Sequence, residues 1–174
     1  MPVLRPLLFT VLMSCVVFAG RAQQADWKSL KLSKVSLSYP PTWHMTRETR
    51  GTQIRITFTP DSMQRLTMRM FEIMELPTDG DRKYPYFKKN FPSFLQPWAD
   101  QGGKILKDEE VTFKGHTTMY AEVIANSLPI KVYVVDAGDY LYVIILRRRR
   151  YSNVADLGLE RDGMGILNSI SFGE

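Results

Sequence analysis

Apolar positions fall on both alternating sets between Pro129 and Leu146. There, two runs rich in β-branched and aromatic residues flank the turn Asp136-Ala137-Gly138-Asp139. Gly138 supplies the positive φ such a turn needs, so the stretch predicts a β-hairpin. Ile130, Val132 and Val134 fall on one side of the first strand, with Tyr133 and Val135 on the other. Leu141, Val143 and Ile145 alternate with Tyr140, Tyr142, Ile144 and Leu146 in the second. Both faces are apolar, which places the hairpin centrally in a sheet covered on both sides.

Elsewhere the periodicity is weaker but still legible. Asp26 to Lys34 reads as a polar lead-in. Val35, Leu37 and Tyr39 form a short strand that Pro40-Pro41 stops, and Thr42 to Arg47 resumes with Trp43 and Met45 on one face. Ile54, Ile56 and Phe58 against Arg55, Thr57 and Thr59 make the cleanest half-buried strand. Leu66, Met68 and Met70 alternate until the phase slips at Met70-Phe71, which predicts a β-bulge. Asp81 is the expected N-cap of a helix through Asn90. Pro92 and Pro97 then predict a kinked segment ending at Gly102-Gly103. Ile105 to Phe113 is polar in its middle and reads as an edge strand, followed by a strand from Thr117 to Ala125. After four arginines, Ser152 or Asn153 is the expected cap of a final helical region. Gly158, Gly163 and Gly165 make that region irregular before it closes on Ile166, Leu167, Ile170 and Phe172.

The first residues change the cellular picture rather than the fold. Arg5, an apolar run from Leu7 to Ala19 and the sequence Gly20-Arg21-Ala22 read as a secretory signal peptide over residues 1–22. The minority reading is a lipoprotein signal, because Leu12-Met13-Ser14-Cys15 resembles a lipobox whose cysteine is acylated. No later segment is long and apolar enough to span a bilayer. Residues 23–174 then form a single domain of roughly 150 residues, enough for one core. Cys15 is the one cysteine, and its loss leaves no disulfide, thiol nucleophile or cysteine-based metal site. The 23 basic side chains, less Arg5 and Arg21, oppose 18 acidic ones, so the domain is only mildly basic. Together with export, this argues against nucleic acid as a partner.

The order of elements resembles a known group. Leu37 to Trp43 within the SYPPTW corner, Ile54 to Pro60, Asp139 to Leu146 and Ile166 to Ile170 together resemble the Mog1/PsbP-like proteins. That group includes the bacterial PsbP-like and DcrB-like exported proteins. The resemblance implies an α+β chain, an α/β/α sandwich with an antiparallel sheet covered by helices on both faces. It implies no shared reaction, because members are known mainly as binding or assembly factors, and the fold constrains function little.

Candidate chemistry is sparse. Arg147, Arg148, Arg149 and Arg150 are either a docking site for phosphate, lipid headgroups or an acidic partner, or a solvated strand end paired to Asp108, Glu109 or Glu110. Tyr84, Tyr86, Phe87, Phe91, Phe94 and Trp98 are denser than one helix face requires. They either bury a helix on the sheet or line a docking groove; Tyr84, Phe87, Phe91 and Trp98 are the candidate binding residues. Met68, Met70 and Met74 read as core filler. His44 and His116 are far apart and in no ligand spacing, and Asp108-Glu109-Glu110 alternate across a strand, so no metal or cofactor is expected. Nucleophile-elbow, phosphate-loop and zinc-protease patterns are absent. The chain is therefore expected to be a non-catalytic exported binding or assembly module with an envelope protein as partner. Three alternatives are a small-ligand-binding protein, a hydrolase whose site converges only in three dimensions, and a lipid-anchored envelope component.

Overall fold

The computed structural model describes residues 26–62, 70–78, 83–147 and 154–173, with backbone alone for 154–156. The leader, Cys15, residues 66–69 of the strand expected up to Met70, the Asp81 cap, Arg148 to Arg150 and the Ser152/Asn153 cap lie outside these residues. The slip expected at Met70-Phe71 lies within them, where Phe71 is the register partner of Phe58 and the Met70 N–H also reaches the Phe58 carbonyl at 3.2 Å.

Ten strands and two helices follow one another along the described chain: β1 (Lys28–Lys31), β2 (Val35–Tyr39), β3 (Trp43–Arg50), β4 (Gln53–Pro60), β5 (Phe71–Pro77), α1 (Tyr84–Asp100), β6 (Lys104–Phe113), β7 (His116–Ala125), β8 (Leu128–Asp136), β9 (Tyr140–Arg147), α2 (Val154–Ser169) and β10 (Ser171–Phe172). Seven strands form one sheet in the order β3-β4-β5-β9-β8-β7-β6, and β1-β2-β10 form a second, smaller sheet. Every described pairing is antiparallel. The central hairpin β8–β9 occupies the middle of the large sheet, and Gly138 turns it at φ +75.

Alternation along the hairpin sorts the core into two clusters. Val132, Val134, Leu141, Val143 and Ile145 pack with Phe91 and Leu95 of α1. Val135, Tyr142, Ile144 and Leu146 pack with Ile166 and Leu167 of α2 and with Val35 and Leu37 of β2. The α+β class and the antiparallel sheet of the sequence reading stand. Two helices contribute to the core, and the second shares its cluster with the small sheet.

Three local expectations need correction. The lead-in before Val35 is itself a strand, β1, because Leu30 faces Leu37 across an antiparallel pair and packs against the buried cluster. The helix expected to reach Asn90 runs on past Pro92 and Pro97 to Asp100 as a single element. Each proline removes an N–H and frees the carbonyl four residues earlier, but both sit on the exposed side, where a freed carbonyl costs least, while Phe91 and Leu95 anchor the other side. The final region is a regular helix despite its glycines. A Cβ at Gly165 would meet Trp27 Cη2 at 2.6 Å, and one at Gly163 would meet Leu146 Cδ1 at 3.0 Å. These glycines let α2 approach the ring and the sheet closely.

One buried carboxylate ties the two sheets together. Glu75 on β5 accepts the backbone N–H of Ser33 at 2.9 Å, the Ser33 hydroxyl at 2.9 Å and the Tyr142 phenol at 2.8 Å. Tyr142 in turn accepts the Lys34 N–H at 2.9 Å, so the β1–β2 turn is clamped to the centre of the large sheet. At the end of α2, the Ser169 hydroxyl accepts the Ser38 N–H at 2.8 Å.

Candidate functional site

The aromatic residues of α1 divide by depth. Tyr84 and Phe91 are buried, Phe87, Phe94 and Trp98 half-buried, and Tyr86 is 53% exposed. Phe94 stacks beside Phe91 at 6.2 Å and meets Trp98 edge-on at 6.0 Å, so the stripe continues from the core to the end of the helix. Spacing of three and four residues puts these rings on one side of the helix. The helix then stops sharply: Gly102 takes φ +75, and Gly103 donates its N–H to the Trp98 carbonyl at 2.9 Å.

That stop places Trp98 at the mouth of an open cleft of about 300 Å³, lined also by Gln101, Ala125, Asn126, Leu128, Ile130 and Arg147. Asn126 and Ser127 turn β7 into β8 with both φ values positive, the geometry of a tight hairpin. The structure thus brings together Trp98 and Arg147, two of the residues singled out in the sequence. Tyr84, Phe87 and Phe91 lie elsewhere on α1 and do not line the cleft.

Arg147 does not pair with the acidic run of β6. Its guanidinium donates to the carboxylate of Glu72, a neighbour on β5 that is 3% exposed. Its backbone N–H donates to the Met70 carbonyl at 2.8 Å. The cleft therefore carries a cation whose charge a buried carboxylate answers. Glu72 had no signal in the sequence beyond being a charge among apolar neighbours.

The β6 carboxylates are occupied locally. Glu110 accepts the Tyr84 O–H at 3.1 Å and contacts Lys88 Nζ at 2.9 Å, while Glu109 contacts Lys107 Nζ at 2.7 Å. The Lys88 ammonium, then the Tyr84 hydroxyl, holds the Glu110 carboxyl below its ordinary range. Burial, then the Glu110 bond, pushes the Tyr84 phenol well up. Burial raises the Asp108 carboxyl. His44 is exposed on the edge strand β3. His116 lies on β7, with its Nδ1 2.9 Å from the Asp136 carbonyl and its ring 4.5 Å from that of Phe172. Neither lines either cleft described here. Among the described residues no group of three or more His, Cys, Asp or Glu side chains is placed to hold a metal ion.

A second, wider cleft of about 530 Å³ lies where the chain enters the domain, between the Pro40-Pro41-Thr42 corner and α2. Asp26, Trp27, Arg161, Asp162, Met164, Gly165 and Asn168 complete its walls. Burial raises the Asp162 carboxyl against the opposing effects of Arg161 and a hydrogen bond from Trp43. The Pro-Pro corner and the Gly163/Gly165 spacing were its only traces in the sequence.

No protein-family model matches the chain, and no curated protein matches it significantly. Solved structures do. Cyanobacterial PsbP (CyanoP) from Synechocystis sp. PCC 6803 superposes with a TM-score of 0.55 at 12% identity, over 85% of this chain and 93% of that one. The chain has the PsbP-like fold. A protein from Bacteroides thetaiotaomicron VPI-5482 matches with a TM-score of 0.47 at 8% identity over 87% of this chain, which spans 49% of that protein's length. LpqN of Mycobacterium tuberculosis, described as involved in cell envelope biogenesis, matches with a TM-score of 0.43 at 10% identity, over 86% of this chain and 91% of its own. These identities make the PsbP-like likeness one of fold. No described helix is long and apolar enough to cross a membrane.

Proposed function

We propose that this PsbP-like chain is an exported, non-catalytic binding or assembly module of the cell envelope that docks a protein partner at the Trp98–Arg147 cleft. The observation that carries this reading is the composition of the cleft. An indole edge and the apolar side chains of Leu128 and Ile130 lie beside Gln101, Asn126 and an arginine already neutralised by Glu72. Such a surface takes an apolar side chain flanked by peptide groups in preference to a free anion. Further support comes from the buried carboxylates. Glu75 is bonded to Ser33 and Tyr142, and Glu72 to Arg147, so both serve the packing of the strands. The two core clusters are read as the covered faces of an α/β/α sandwich, with the small sheet supplementing α2. Export rests on the leader over residues 1–22; acylation of Cys15 is the alternative, and the mass of the mature N-terminus separates the two.

The test is affinity capture from an envelope extract with the wild-type chain, Trp98→Ala and Tyr86→Ala. The exposed Tyr86 lies outside the cleft. A partner retained by the wild type and Tyr86→Ala but lost by Trp98→Ala supports the reading. Turnover of a substrate in a hydrolase screen, with no partner recovered, overturns it.

A further inference from the structure

The large sheet ends in two very different edges. At one end β6 is bulged between Ile105 and Lys107 and carries the successive acids Asp108, Glu109 and Glu110. Bulges and crowded like charges are how proteins prevent edge-to-edge pairing. At the other end β3 pairs with β4 in unbroken register from Trp43↔Pro60 to Arg50↔Gln53. It contains no proline, and among the described residues it has a strand on one side only.

Its hydrogen-bonding parity follows from the turn. Gly51 at φ +59 and Thr52 form a two-residue connection with a positive φ at the first position only, so Arg50 and Gln53 are a hydrogen-bonded pair. Glu48, Thr46 and His44 then also bond inward to β4. The Asp61 N–H on the Thr42 carbonyl at 2.9 Å continues the same parity. Met45, Arg47 and Thr49 are left with N–H and C=O groups directed outward.

We propose that β3 is an interface through which a second copy of this chain extends the sheet, antiparallel, about a two-fold axis at Thr46. Symmetry perpendicular to the sheet requires one residue to face its own copy. Centring on Arg47 or Glu48 sets like charges opposite each other. Centring on Met45 sets Arg47 against Trp43, so both pairs flanking the axis lose the bond from the Trp43 N–H, which is committed to the Pro40 carbonyl at 3.1 Å; centring on Thr46 confines that loss to the outermost Trp43–Thr49 pairs. Centring on Thr46 sets Met45 opposite Arg47, His44 opposite Glu48 and Trp43 opposite Thr49, with no like charges facing. The outward groups of Met45 and Arg47 then bond reciprocally, and the exposed Thr46 pair is a close, non-hydrogen-bonded one.

Sedimentation and cysteine cross-linking on the full chain test this. In a Cys15→Ser background, Thr46→Cys is expected to form an intermolecular disulfide under mild oxidation. A non-hydrogen-bonded pair brings Cα atoms to about 4.5 Å, within disulfide reach. Thr49→Cys, several residues from its own copy, is expected not to. Arg47→Pro removes an N–H that bonds nothing within β3–β4, so the fold is expected to persist while dimer dissociation rises about tenfold or more. Thr46→Lys, which places ammonium groups opposite each other at an exposed position, is expected to weaken the dimer without touching the backbone. A chain that sediments as a monomer throughout, a Thr46→Cys variant that cross-links no faster than Thr49→Cys, or a dimer indifferent to both Arg47→Pro and Thr46→Lys overturns the proposal.

Discussion

Glu75 and Tyr142 stand directly opposite each other on β5 and β9, and the buried phenol donates to the buried carboxylate at 2.8 Å. No cation shares in these bonds: three donors, one of them from Tyr142, hold the carboxylate. Burial, as the largest cause, pushes the Tyr142 phenol well above its ordinary value, so it stays a donor throughout the accessible pH range.

Tyr142→Phe is expected to lower the unfolding free energy by about 1–3 kcal/mol, because it leaves Glu75 and the Lys34 N–H each short of a partner. Urea denaturation measures it. Exchange of the β1 and β2 amides is expected to accelerate before that of β8 and β9, since the lost bonds clamp the small sheet to the large one.

Arg147→Met is expected to destabilise the fold by about 2 kcal/mol, a value reduced from that of a fully buried pair because the arginine is partly exposed. The double variant Glu72→Leu/Arg147→Met is expected to recover most of this loss, because an apolar pair removes the desolvated carboxylate together with its cation. A double-mutant cycle by chemical denaturation gives both numbers.

The glycines are expected to separate. Gly158→Ala meets nothing within 4 Å and is expected to stabilise α2 by about 0.5–1 kcal/mol through helix propensity. Gly103→Ala would set a Cβ 2.4 Å from the Trp98 carbonyl oxygen, where backbone has to move, and is expected to be severely destabilising. Gly165→Ala drives against the tip of the Trp27 ring. It is expected to change tryptophan emission while the melting temperature moves little, because the ring can swing away and the helix gains propensity.

Glu110 is expected to titrate below its ordinary value of 4.5, chiefly because of Lys88 and secondly because of Tyr84. The folded state releases this proton more readily than the unfolded chain. The stabilisation is therefore fully present above the ordinary range and is lost as pH falls through the lowered value. Carboxylate NMR titration checks the order: Lys88→Ala is expected to raise the midpoint more than Tyr84→Phe.

Much of the sheet could be read from alternation, because side chains of a strand point to opposite faces and a strand covered on both sides must be apolar on both. That reasoning separated Ile130, Val132 and Val134 from Tyr133 and Val135 in one strand, and Leu141, Val143 and Ile145 from Tyr142, Ile144 and Leu146 in the other; the β8–β9 register decided which of these sets share a face and a core cluster. It also identified β6 as an edge, since only an edge tolerates so polar a strand. Local rules misjudged α1 and α2, whose prolines and glycines are acceptable only because of what lies beside them: solvent for Pro92 and Pro97, the Trp27 ring for Gly165. The candidate cleft belongs entirely to the tertiary structure. Trp98 and Arg147 lie on elements separated by three strands in sequence, and neither carries a local pattern announcing the other. Glu72 became the partner of Arg147 because β5 pairs with β9, a long-range register that periodicity within a strand cannot specify.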